Sequence, residues 1–139
     1  PESPRHVTAL ALVLVKNIDR VSLPMVASRL KDLGREARLG WLLASVRTAL
    51  EHAPPSPYTE TRRDVSRASV SIGLFLASQA LRPRGPHDPI ELFDRQIRSA
   101  VTAERVLEEA SAEAKRWRVA TRLAPSDFAE ALRAANEAR

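Results

Sequence analysis

The run ASVSIGLFLASQAL, residues 68–81, constrains the fold more than any other stretch. At helical spacing Val65, Ala68, Ile72, Phe75 and Leu76 share one face, and Val70, Leu74, Ala77 and Leu81 share another. A helix apolar on two faces is normally enclosed by others. Gly73 at its middle leaves room for a neighbouring backbone. The run is too short to span a bilayer, and its Ser and Gln residues argue the same way. It predicts the central helix of a bundle, starting near Pro57 or Thr59 and ending at Leu81.

The remaining segments supply the helices that would enclose it. Ser3-Pro4 reads as an N-cap followed by Pro at the first helical position, with Val7, Leu10, Ala11, Leu14 and Ile18 at helical spacing. The apolar stretch 9–15 also suits a buried strand, but no second strand candidate exists to pair with it. Ser22-Leu23-Pro24 starts a second helix with a stripe of Leu23, Val26, Ala27, Leu30 and Leu33, and Gly34 is its stop signal. A third helix follows over residues 36–52. Leu39, Leu42, Leu43, Val46 and Leu50 line one face; Arg38, Trp41, Ser45, Thr48 and His52 occupy the other.

Two Pro-rich connectors, 53–57 and 82–87, flank the central helix. Asp88-Pro89-Ile90-Glu91 then combines an N-cap, Pro at N1 and a capping-box Glu. No breaker follows until Pro125, which predicts a helix of about 35 residues, roughly 50 Å long. A compact domain of this length is only about 37 Å across, so the helix either kinks near Thr102 or projects onto a partner. Ser126-Asp127 caps a last helix with Phe128 and Leu132 inward. The expected architecture is all-α: one domain over residues 1–139, a bundle of five to six helices with a central hydrophobic helix and one long helix in the C-terminal half.

At 139 residues, 44% hydrophobic and 28% charged, the chain is long enough for one real core. With no Cys, disulfides and thiolate metal sites are excluded, and nothing points to an oxidising compartment. A cytoplasmic protein without a signal peptide or membrane span is expected. Because it opens on Pro, the chain is read as a processed or excerpted product.

The net charge is +5, and every basic residue except Lys16, Lys31 and Lys115 is Arg. Arg suits phosphate because its planar fork donates two hydrogen bonds at once; the coding bias of a GC-rich genome produces the same excess. Residues 1–53 hold 8 basic and 5 acidic groups, 54–87 hold 5 and 2, and 88–139 hold 9 and 10. The first two thirds are therefore the expected polyanion-facing part.

Catalytic constellations are sparse. His6, His52 and His87 have no metal-ligand spacing, there is no Gly-rich phosphate loop, and no metal or cofactor is expected. Glu104, Glu108, Glu109 and Glu113, with Arg105, Lys115 and Arg116 nearby, read as a solvated helix face. Arg47 and His52 have the Arg-x4-His spacing of the helical HEPN ribonuclease family. That resemblance implies an Arg holding phosphate and a His moving protons. Arg82 and His87 repeat the spacing in a loop, and Thr48 stands where the family favours Asn, Asp or His. No enzyme is expected.

Basic residues group in three places. Residues 22–47 have the outline of a helix-turn-helix, with Arg38, Trp41 and Ser45 outward and Arg29, Lys31 and Arg35 flanking at the backbone. Trp41 reads as a protein-interface anchor, or as core for a two-faced helix. Arg62, Arg63 and Arg67 stand in the first turns of the central helix. Lys115, Arg116, Arg118 and Arg122 surround Trp117; they read as a phosphate-tracking cluster or as an ordinary charged helix end.

In size, helicity and charge, over the whole chain, the protein resembles the small helical subunits of CRISPR effector complexes. The resemblance implies stabilisation of guide RNA or of a displaced single strand, with cleavage done elsewhere. The expected function is a non-catalytic accessory subunit that grips RNA or single-stranded DNA by its backbone, alongside other protein subunits or copies of itself. A helix-turn-helix regulator, and a protein-interaction or dimerisation domain, are the alternatives.

Overall fold

The computed structural model describes residues 4–54, 56–93 and 100–137. It is an all-α bundle with one very small sheet. Helix α1 (Pro4–Lys16) leads through a 3-10 turn (Ile18–Arg20) to α2 (Leu23–Asp32), α3 (Glu36–His52) and α4 (Thr59–Ala77). Strand β1 (Glu91–Leu92), α5 (Ala100–Glu108), α6 (Ala112–Trp117), β2 (Val119–Ala120) and α7 (Pro125–Glu137) follow. Among the described residues no helix is long and apolar enough to cross a membrane.

The first three helices form where local signals place them. Ser22 caps α2, its Oγ accepting from the Met25 N–H at 3.3 Å. Gly34, at φ +67°, ends it. The Gly34 N–H donates to Lys31 and the Arg35 N–H to Leu30, the two bonds of a Schellman stop. That turn lets α3 begin at once at Glu36. Ser3 and Pro55 lie outside the described residues.

The central place belongs to α3, not to α4 as expected. Nine residues of α3 are buried, against four of α4. Helix α3 packs on α2, α4, α6 and α7. Its second face carries the small residues Ala37, Gly40, Ser45 and Ala49, all buried, which let neighbours approach closely. On α4, Ala68, Ile72 and Phe75 are buried, but Val70 and Leu74 of the second apolar face are 58% and 69% exposed.

The long C-terminal helix does not form. Glu91 and Leu92 instead pair in parallel with Val119 and Ala120, the one ladder among the described residues. The expected capping box is used otherwise. Asp88 Oδ2 accepts from the Gly85 N–H at 2.6 Å in a tight turn, and Glu91 donates its N–H to the Arg118 carbonyl at 2.8 Å. Thr102 lies inside α5; the helical pattern breaks further on. Ser111 caps α6 by accepting from the Ala114 N–H at 3.2 Å, and Arg118, at φ +52°, ends it in the left-handed region. Part of that predicted helix, residues 94–99, lies outside the described residues. The last helix starts at Pro125, with Asp127 Oδ2 accepting from the Ala124 N–H at 2.8 Å.

These returning segments bury the face of α3 that sequence reading turned outward. Trp41 is fully buried, its ring 5.0 Å from that of Phe93 and 5.9 Å from that of Phe128. It is core of this chain, not an exposed interface anchor. Phe93 and Phe128 lie more than fifty residues downstream, so helical periodicity around position 41 could not register them. Burying an aromatic side chain of this kind contributes about 1.5–3 kcal/mol.

Candidate nucleic-acid interface

Packing commits several of the expected phosphate contacts to the fold. Arg38 donates from Nη2 to the Leu92 carbonyl at 2.9 Å and lies over the Phe93 ring. Its Nε is 3.7 Å from Glu91 Oε2. Arg84 stands 3.5 Å from Glu36 beside it. The Glu91 carboxyl is pushed above its ordinary range, first by burial, with Arg38 and Arg84 opposing. With Arg38 held at strand β1 and Trp41 and Ser45 buried, the face a recognition helix would read with is turned inward.

Three further arginines are also engaged. Arg118 Nε donates to the Asp88 carbonyl at 2.8 Å, tying α6 to the segment before β1. Arg67 pairs with Asp19 at 2.9 Å, half-exposed. Arg62 donates to the Ser56 carbonyl at 2.8 Å and to Thr59 Oγ1 at 3.3 Å, fastening the Pro-rich connector. Arg122 is exposed and already in contact with another group.

Arg29, Lys31, Arg35, Arg63, Lys115 and Arg116 are exposed and make no ion pair among the described residues. Arg29 and Lys31 sit in the last turn of α2, where cations complement the helix dipole, and Arg35 lies in the turn after it, at the N-cap of α3.

Of the predicted set, Arg116 is the one that lines the cleft bounded by α3 and α6. A cleft of about 940 Å³ opens between α3, the end of α4, the loop after it and α6. Arg47 enters from α3, Arg82 from the loop and Arg116 from α6. Leu76, Leu81 and Trp117 supply apolar wall. Arg82 makes no ion pair among the described residues, and the half-exposed Arg47 is 3.3 Å from Glu51. The Thr48 hydroxyl donates to Glu113 Oε1 at 3.3 Å. Three guanidinium groups therefore face two carboxylates, each of which already has a partner.

Sequence reading missed this grouping. Arg82 lies in a breaker segment and Arg47 on a flank of α3, and only the packing of α6 against α3 brings them together with Arg116. The signal available was the Arg-x4-His spacing at Arg47, but His52 does not line the cleft. Its Nδ1 lies 2.8 Å from the Thr48 carbonyl of its own helix. No group of His, Asp or Glu side chains able to hold a metal ion occurs among the described residues.

No protein-family model, curated protein or solved structure matches the chain.

Proposed function

We propose that the protein is a non-catalytic accessory subunit that holds the sugar–phosphate backbone of a single-stranded nucleic acid in the cleft between α3 and α6. One observation carries this reading: Arg47, Arg82 and Arg116 converge from three segments on one concave surface. Arg82 and Arg116 make no ion pair among the described residues, and free guanidinium forks are suited to bidentate contact with phosphate oxygens. The Arg47–Glu51 pair is half-exposed, so its contribution is small and a phosphate can replace the carboxylate. The apolar wall gives bases a surface to lie against without reading their edges.

No histidine lines the cleft, and its carboxylates are engaged, so binding rather than proton transfer is the chemistry it supports. This agrees with the size and charge resemblance to CRISPR small subunits, in which such a chain would steady guide RNA or a displaced strand for antiviral defence.

The test is anisotropy of a labelled single-stranded oligonucleotide across a salt series. Three phosphates neutralised give a log–log slope of about −2. Absence of binding at low salt, or binding unchanged in the Arg82→Ala/Arg116→Ala double variant, overturns the proposal.

A further inference from the structure

A second concave surface lies elsewhere on the molecule and shares no residue with the cleft. Helices α1 and α4 pack side by side. Asp19, just past α1, pairs with Arg67, while Val13 and Val70 line one groove further along. The groove measures about 690 Å³ and is closed on its third side by Leu132 and Ala135 of α7. Val13 and Val70 are 56% and 58% exposed. One turn on, Leu10 and Leu74 are 51% and 69% exposed. Exposed apolar side chains grouped on one pair of packed helices mark an interaction surface.

The charges lining it are mostly cationic. Helix α1 contains no carboxylate at all, and carries Arg5 near its start and Lys16 at its end. Those two cations are 11 positions apart, roughly 17 Å along the helix. Lys16 and Arg62 line the groove itself, against the single carboxylate of Asp64.

We infer that this groove receives an amphipathic helix of a partner protein, with an apolar stripe about three turns long and carboxylates flanking both ends. The concavity favours a helix over a membrane surface, which would meet a convex apolar face. The charge favours an acidic partner over a second copy, because a two-fold contact would set this carboxylate-free helix against another cationic surface. The inference is independent of the cleft and fails or stands separately from it.

The probe is a synthetic helical peptide with leucines at i, i+4, i+7 and i+11 and Glu on both flanks, compared with a Lys-flanked counterpart. The acidic peptide should bind at least about tenfold more tightly. Binding should vanish in Val70→Lys, at an exposed position where the fold tolerates the change, and the peptide preference should reverse in Arg5→Glu/Lys16→Glu. Arg82→Ala should leave it unchanged. Equal affinity of the two peptides, no binding of the acidic one up to about 1 mM, or binding that survives Val70→Lys overturns the inference. A dimer in light scattering, or attachment to anionic vesicles, that Val70→Lys abolishes would also overturn it, in favour of those occupants.

Discussion

The Trp117 indole packs against Gly40 so closely that a Cβ at position 40 would clash with ring atoms Cε3 and Cζ3. This contact fixes α6 against α3, and with it the position of Arg116 relative to Arg47. Gly40→Ala cannot be absorbed by a flexible side-chain end, because the opposing group is a rigid buried ring. We expect a loss of about 1–3 kcal/mol in urea unfolding, and weaker oligonucleotide binding because the cleft wall shifts. Unchanged stability would show that α6 is not held in this way.

Arg82→Ala and Arg116→Ala should act on binding alone. Both side chains are exposed and make no ion pair among the described residues, so thermal stability should stay within about 0.5 kcal/mol of the parent. Each should lower the salt slope by about 0.7, the value for one phosphate contact on a single strand. Arg35→Ala, in the turn between α2 and α3, should change the slope less than either.

Arg38→Ala should do the reverse. Its guanidinium holds the Leu92 carbonyl and stands beside the partly buried Glu91. Removing it leaves that carboxylate without its nearest cation, and a loss of about 1–3 kcal/mol is expected in denaturant unfolding. Oligonucleotide affinity, measured where the variant remains folded, should be retained. Loss of affinity with stability intact would instead favour the helix-turn-helix alternative.

Glu91 makes a pH prediction. Its carboxyl is raised above the ordinary 4.5, chiefly by burial. The folded state therefore holds the proton more tightly than the unfolded state. Stability from this group is fully present below pH 4.5 and is lost as pH rises through the higher folded value. Glu91→Gln, a neutral mimic, should flatten the stability profile in that window and match or exceed the parent at pH 7. Destabilisation at pH 7 would mean that attraction to Arg38 and Arg84 outweighs desolvation.

The helices up to residue 77 were legible because their signals are local. Ser22 and Gly34 act within four residues of themselves, and the apolar stripe of α3 follows from its own spacing. The segment from Asp88 was misread for the same reason. Its Asp, Pro and Glu form a good local start signal, yet the backbone of Glu91 and Leu92 pairs with Val119 and Ala120, 28 positions away in the chain. Such a bond has no periodicity to announce it, and a two-residue ladder is too short to leave an alternating pattern. The candidate cleft was legible only as an excess of Arg; which arginines remain available depends on distant partners such as Asp88, Leu92 and Asp19.

The amino-acid sequence by itself determined the helical class, the limits of α2 and α3 and the cationic balance, because each depends on neighbours in the chain or on simple counting. Tertiary structure alone decided that α3 is the core helix, that Trp41 faces inward, and that Arg47, Arg82 and Arg116 share a cleft. Each of these is set by contacts between residues remote in sequence, where close packing and desolvation outweigh local preference.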